Sequence, residues 1–76
     1  MKIEIYGSGC AKCKKTEEIV RQAVKELNIK AEISKIEDLQ KIIDKGIMMT
    51  PAVAVDGVVK ILGRVPSIQD VEKILQ

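Results

Sequence analysis

The stretch EIYGSGCAKCKKTEE, residues 4–18, decides the fold of this chain. Apolar and charged residues alternate over residues 2–6, which predicts a strand. The GSG that follows breaks the strand, and apolar residues at helical spacing then predict a helix over residues 11–27. Cys10 and Cys13, the only cysteines of the chain, therefore lie where a strand passes into a helix.

The middle of the chain predicts three strands and a short helix. Residues 31–36 alternate loosely and predict a second strand. Residues 37–46 predict a helix that ends at a glycine and places Leu39, Ile42 and Ile43 on one face. In residues 51–62, Asp-Gly stands between two β-branched runs, a pattern typical of a two-residue hairpin with a type I′ turn.

The end of the chain predicts a last helix. Ser67 and Asp70 have the spacing of an N-cap followed by an acid three residues later. The predicted buried stripe consists of Ile68, Val71, Ile74 and Leu75. The element order is therefore β-α-β-α-β-β-α, whose βαβ half must be parallel and right-handed. We expect an α/β fold in which one mixed four-stranded sheet has helices on its faces, within a single domain over residues 1–76.

The composition and the apolar pattern argue against several classes of function. The net charge is +2, and the chain has one Tyr, no Phe and no Trp. Nucleic-acid binding is not expected, because it needs a clustered basic face and aromatic side chains for stacking. The sequence has neither a signal-peptide pattern nor an apolar run long enough for a membrane span, so we expect a cytoplasmic protein. In that compartment two cysteines are expected to be catalytic, redox-active or metal-binding.

The position of the cysteine pair predicts its chemistry. Side chains at i and i+3 of a helix lie about 5–6 Å apart at Cβ, so a disulfide between Cys10 and Cys13 needs only small adjustments. A helix N-terminus stabilises a thiolate, and Lys12, Lys14 and Lys15 are expected to act in the same direction on the pKa of Cys10. Cys13 lies deeper in the helix. We therefore expect Cys10 to attack a target disulfide and Cys13 to resolve the mixed disulfide.

A second motif lies forty residues further along the chain. Thr50-Pro51 stands immediately before a predicted strand, where proline is tolerated because it need not donate to the sheet. A Cys-x-x-Cys after the first strand, Thr-Pro before a hairpin and GRVPS before the last helix together resemble the thioredoxin/glutaredoxin superfamily. Within it, the chain is most similar to the small glutaredoxin-like redox-active disulfide proteins of archaea and some bacteria.

The resemblance implies a thioredoxin-like fold and a thiol–disulfide oxidoreductase that acts on protein disulfides. It implies that Cys10 is the nucleophile, Cys13 the resolving cysteine and Pro51 a cis-proline. It further implies that the Thr50 backbone offers an edge to an extended substrate, and that Gly63 lies in a loop that a substrate backbone approaches closely. The expected partners are protein substrates and a dithiol or reductase donor, and we expect a monomer without a cofactor.

The sequence leaves three alternatives open for the cysteines. A loop with two thiols also suits Cu(I) or Zn, as in the heavy-metal-associated domains. Ser8 stands where that family has Met, its element order ends on a strand, and nothing in it explains Thr50-Pro51, although Met48 and Met49 are soft donors nearby. The second alternative is an iron–sulfur cluster held by the cysteines of two chains, and the third is a thioredoxin-like binding module with inert cysteines.

Overall fold

The computed structural model describes residues 1–76 and contains four strands and three helices in the predicted order. The elements are β1 (Lys2–Tyr6), α1 (Ala11–Leu27), β2 (Glu32–Ile36), α2 (Leu39–Asp44), β3 (Ala52–Val55), β4 (Val58–Leu62) and α3 (Ile68–Leu75). None of the helices is both long and apolar enough to cross a bilayer.

The strands form one mixed sheet in the order β2-β1-β3-β4. β1 runs parallel to β2 and antiparallel to β3, and β3 runs antiparallel to β4. Because Tyr6 at the end of β1 pairs with Ala52 at the start of β3, the segment before β3 lies beside the loop that follows β1. The predicted four-stranded mixed sheet is confirmed, and its topology brings together the two motifs that lie far apart in the sequence.

The hairpin between β3 and β4 has the predicted turn. Val55 pairs with Val58, so Asp56 and Gly57 form a two-residue loop. Their φ angles are 51° and 87°, and positive φ at both positions defines a type I′ turn. The register shifts further along this pair of strands, which leaves Lys60 as an unpaired extra residue that the sequence did not predict.

Alternation along the strands divides the core between the two faces of the sheet. On one face, α1 and α3 cover the larger cluster, made of Ile3, Ile5, Val20, Ala23, Val53, Val55, Ile61, Val71 and Leu75. On the other face, α2 covers a smaller cluster, made of Tyr6, Ile42, Ile47, Ala52 and Ala54. Helices therefore lie on both faces, as predicted, and the cluster that α1 and α3 cover is the larger of the two.

The two shorter helices differ in how far they are buried. In α3, Val71 and Leu75 are buried while Ile68 and Ile74 pack against the core from its edge, which confirms the predicted stripe. In α2, only Ile42 is buried, and Leu39 and Ile43 are 70% and 56% exposed. A helix of six residues is less than two turns long, so few of its side chains reach the sheet and the rest of its apolar face remains at the surface.

Candidate active site

The two cysteines lie at the start of α1, but in different surroundings. Cys10 is the N-cap residue and is exposed, whereas Cys13 lies in the first helical turn and is 3% exposed. Their Sγ atoms are 3.0 Å apart and share a hydrogen bond. Both are free thiols in this structure. A separation this short means that a disulfide requires a small movement of the side chains and no refolding of the helix.

The surroundings of Cys10 favour its thiolate. The Cys13 thiol, as hydrogen-bond donor, is the largest cause that lowers the pKa of Cys10, followed by the backbone N–H groups of Cys13 and Lys12. The Cys10 side chain accepts no cap hydrogen bond, so these N–H groups act through the positive partial charge of the helix N-terminus. The lysine charges, which the sequence predicted to act on this pKa, are not among its leading causes.

The surroundings of Cys13 favour its protonated form. Burial raises the pKa of the Cys13 thiol, and donation of its hydrogen bond to Cys10 raises it further. The two pKa shifts are therefore opposite in direction and linked by one hydrogen bond, because each results in part from the same Sγ–Sγ contact. An exposed, acidified thiol next to a buried, protonated one is the arrangement that a nucleophile and its resolving partner require.

Gly7 is a site residue that the sequence analysis missed. A Cβ at Gly7 would collide with Cys13 Sγ and would lie 3.0 Å from Cys13 Cβ. Its φ is not in the left-handed region, so the backbone does not require a glycine here and the Cys13 side chain does. The signal in the sequence is the glycine itself, which stands directly after β1, but a glycine there predicts by itself only the end of the strand.

The Thr50-Pro51 segment lies against this glycine. Thr50 Cβ would be 4.0 Å from a Cβ at Gly7, and the Thr50–Pro51 peptide bond is cis. Pro51 is buried, and its carbonyl accepts a hydrogen bond of 2.9 Å from the Gly63 N–H. The structure thus brings Thr50 and Pro51 beside the Cys10–Cys13 pair, and the cis bond implied by the resemblance is present.

Thr50 and Gly63 differ in what their backbones offer. Neither the N–H nor the carbonyl of Thr50 bonds to another backbone group, and the residue is exposed. At Gly63, φ is +73°, and a Cβ would lie 2.9 Å from Met49 Cε and 3.0 Å from Met49 Cβ. The space above Gly63 is therefore filled by Met49. The predicted role of Gly63 toward a substrate stays a prediction.

The cysteines form no larger ligand cluster. No group of three or more His, Cys, Asp or Glu side chains is positioned to hold a metal ion together. The thiols of Cys10 and Cys13 are therefore the only side chains of these types that the site could supply as ligands to a soft metal.

Comparisons with known proteins agree with this geometry. The family described as Thioredoxin domain matches residues 1–76. A thioredoxin of Methanothermobacter thermautotrophicus is 51% identical over 75 residues, which cover 99% of this chain and 97% of that protein. A thioredoxin of Methanocaldococcus jannaschii is 42% identical over 74 residues, covering 97% of this chain and 85% of that protein. A probable thioredoxin of Methanothermobacter marburgensis is 40% identical over 67 residues, covering 83% and 79%.

The family match spans residues 1–76, and the three relatives, at 40–51% identity, cover 83–99% of the chain. They fit the strand order, the cis-proline and the paired thiols at the start of α1. The chain belongs to the thioredoxin family and is a thiol–disulfide oxidoreductase.

Proposed function

We propose that Cys10 is the nucleophile toward disulfides of partner proteins and that Cys13 is the resolving thiol. One observation carries this assignment. The exposed thiol and the buried thiol lie 3.0 Å apart, and the hydrogen bond between them lowers the pKa of Cys10 and raises that of Cys13. The assignment follows because the thiolate is the attacking species and Cys10 is the thiol that a partner can reach.

The reaction balances in two exchange steps. The Cys10 thiolate attacks one sulfur of the target disulfide, the target S–S bond breaks, and the released target thiolate takes a proton from water. Cys13 then loses its proton and attacks Cys10 Sγ, which breaks the mixed disulfide and releases the second target thiol. The target gains two electrons and the Cys10–Cys13 pair becomes a disulfide.

The charge on Cys10 sets the order of these steps. While Cys10 is a thiolate, the Cys13 proton is shared with it and Cys13 stays protonated. Once Cys10 is in a mixed disulfide it no longer carries a negative charge. The Coulombic repulsion that helps to raise the pKa of Cys13 is then removed. Loss of that charge makes Cys13 easier to deprotonate when it is needed as the second nucleophile.

Thr50 and Pro51 are proposed to hold the substrate. The unpaired N–H and carbonyl of Thr50 suit an extended peptide that adds along this segment. Buried Pro51 fixes the segment beside the thiols. A dithiol or a reductase would return the disulfide to the dithiol form, and a reducing compartment such as the cytoplasm is the proposed setting.

The test is the redox equilibrium of the pair in glutathione and dithiothreitol buffers, read by thiol alkylation and mass spectrometry. We expect one two-electron transition between Cys10 and Cys13. A Cys13→Ser variant is expected to accumulate a mixed disulfide on Cys10, because the resolving thiol is missing.

Two results would reject the proposal. One is a failure to form the intramolecular disulfide under conditions that oxidise dithiothreitol. The other is trapping of the mixed disulfide on Cys13 in a Cys10→Ser variant at a rate equal to that of Cys10 in Cys13→Ser. Stoichiometric Cu(I) binding that blocks alkylation of a redox-inactive pair would instead support the metal-binding alternative.

A further inference from the structure

The first five residues of α1 include three exposed lysines and no acid. These N-terminal lysines are Lys12, Lys14 and Lys15. The N-terminal end of a helix has positive partial charge, so acids stabilise it and cations do not. The other two helices follow that rule, because Asp38 caps α2 and Asp70 lies in the first turn of α3. The departure from the rule is confined to the helix that begins at Cys10.

Most of this positive charge is not paired with a neighbouring acid. Lys15 is 4.0 Å from Glu18, both exposed. Lys12 and Lys14 take part in none of the ion pairs of the chain, which otherwise join Arg21 and Lys35 to Glu17, Lys35 to Glu37, and Arg64 to Asp70. Two full positive charges therefore flank the reactive thiols without a partner.

One acid approaches the other side of the site, but it is paired. Glu37 Oε2 lies 3.3 Å from the position of a Cβ on Gly9, immediately before Cys10. Lys35 Nζ is 3.5 Å from Glu37 Oε1 and 3.4 Å from Glu17 Oε1. The Glu37 charge is thus shared with a cation, and the surface in front of Cys10 remains positive on its α1 side.

The N-terminal lysines do not act mainly on the thiol itself. The pKa of Cys10 is lowered chiefly by the hydrogen bond with the Cys13 thiol and by the backbone N–H groups of Cys13 and Lys12. Lys12, Lys14 and Lys15 are exposed, so their charges are accessible to an approaching partner protein. Residues that disfavour the local structure are expected mainly at functional sites. Here the unfavourable residues are lysines at a helix N-terminus, and they lie beside the nucleophile Cys10.

We propose that Lys12 and Lys14, with Lys15 beside them, form an anion-attracting surface that selects partner proteins whose disulfide is flanked by acidic residues. This rests on the proposed role of Cys10 as nucleophile. A surface of one sign of charge raises the encounter rate with a partner of opposite sign, and salt screens the effect. The partner is therefore identified by acidic side chains next to its cysteine.

Three small disulfides of similar size test the inference with the full chain. They are the dianion 3,3′-dithiodipropionate, the neutral bis(2-hydroxyethyl) disulfide and the dication cystamine. Each rate of oxidation of the dithiol protein is divided by the rate at which 2-mercaptoethanol reacts with the same disulfide. We expect the normalised anion-to-cation ratio to be about tenfold at low ionic strength and to approach about one at ~1 M salt.

Matched variants assign the effect to these lysines. A double Lys12→Gln, Lys14→Gln variant is expected to reduce the anion-to-cation ratio to about twofold or less. A double Lys25→Gln, Lys30→Gln variant removes the same charge from the last turn of α1 and from the segment that follows it, and is expected to keep the ratio. Both control lysines are exposed.

The outcomes separate this inference from the proposed function. Equal normalised rates for the three disulfides at low salt, or an equal loss of preference in both double variants, would overturn the anion-attracting surface and leave the oxidoreductase intact. If even the neutral disulfide fails to oxidise the Cys10–Cys13 pair, the proposed function fails first.

Discussion

The start of α1 and the start of α3 are built in opposite ways. At α3, Ser67 Oγ accepts from the Asp70 N–H at 3.1 Å, and Asp70 Oδ2 accepts from the Ser67 N–H at 3.2 Å. Arg64 Nη1 donates to the same carboxylate oxygen at 3.0 Å. These contacts lower the pKa of Asp70, with the Arg64 hydrogen bond as the largest cause. At α1, Cys10 forms no side-chain cap, and lysines take the place of acids.

The difference shows what each terminus is for. The capping box at α3 satisfies free N–H groups within the chain and so stabilises a helix that covers the core. At α1 the same kind of N–H group is left to a sulfur that must be able to leave and attack. The helix end that is weaker as a cap is the one that can favour a thiolate, so local stability and reactivity are divided between the two helices.

Cys10→Ser should have the largest effect, because it converts the reactive N-terminus of α1 into a capped one. Thiol–disulfide exchange should fall to the rate of buffer alone, since the nucleophile is lost. Serine is a good N-cap, so the free energy of unfolding should rise by about 0.5–1 kcal/mol in urea titrations under reducing conditions. A Cys10→Ser protein that is less stable than the dithiol wild type would show that α1 is already capped by its thiol.

Gly7→Ala should have the next largest effect, and it acts through Cys13. The added methyl group would collide with Cys13 Sγ, so the Cys13 side chain must shift from its position beside Cys10 and disulfide closure is expected to slow. Overpacking of this kind costs about 1–3 kcal/mol of stability. Closure is measured by stopped-flow oxidation and stability by urea unfolding.

A double-mutant cycle provides the control for Gly7. In a Cys13→Ala background the sulfur is gone and the Cβ contact of 3.0 Å remains, so the cost of Gly7→Ala should fall by about half or more. An undiminished cost in that background would mean that Gly7 serves the backbone and not the Cys13 side chain.

Ser67→Ala should give the smallest effect and should not reach the site. It removes the hydroxyl that accepts from Asp70 N–H, and loss of such a cap costs about 0.5–2 kcal/mol. Thermal unfolding measures the loss, while the alkylation rate of Cys10 should stay at its wild-type value. A change in Cys10 reactivity would show that the two helix ends are coupled across the α1–α3 contact.

Much of the fold follows from local patterns. The period of the apolar residues located β1 and α1, and the Asp56-Gly57 pair fixed the hairpin, because positive φ at both positions is what a type I′ turn requires. Local patterns do not define how deeply a short helix is buried. Leu39 and Ile43 share a face with Ile42 but stay exposed, since burial depends on the sheet surface that α2 covers.

The site was predictable where chemistry depends on sequence spacing. The proximity of Cys10 and Cys13 could be predicted because residues three apart lie on the same face of a helix. The burial of Cys13 followed from its position inside α1. The role of Gly7 could not be predicted, because its constraint comes from a side chain six residues later that returns toward the strand end. The filling of the space above Gly63 by Met49 is likewise a tertiary contact that no local pattern encodes.

The most direct test of the central claim is the pH dependence of iodoacetamide alkylation, with mass spectrometry identifying the modified cysteine. A lowered pKa means that Cys10 becomes a thiolate at lower pH, so its rate should rise with pH and reach half its maximum below the ordinary cysteine value of about 8.5. Cys13→Ala should move this midpoint upward by removing the donor, and Cys13→Ser, which keeps a hydroxyl donor, should move it less. Alkylation of Cys13 before Cys10, or a Cys10 midpoint at or above about 8.5 in the wild-type protein, would contradict the assignment of nucleophile and resolving thiol.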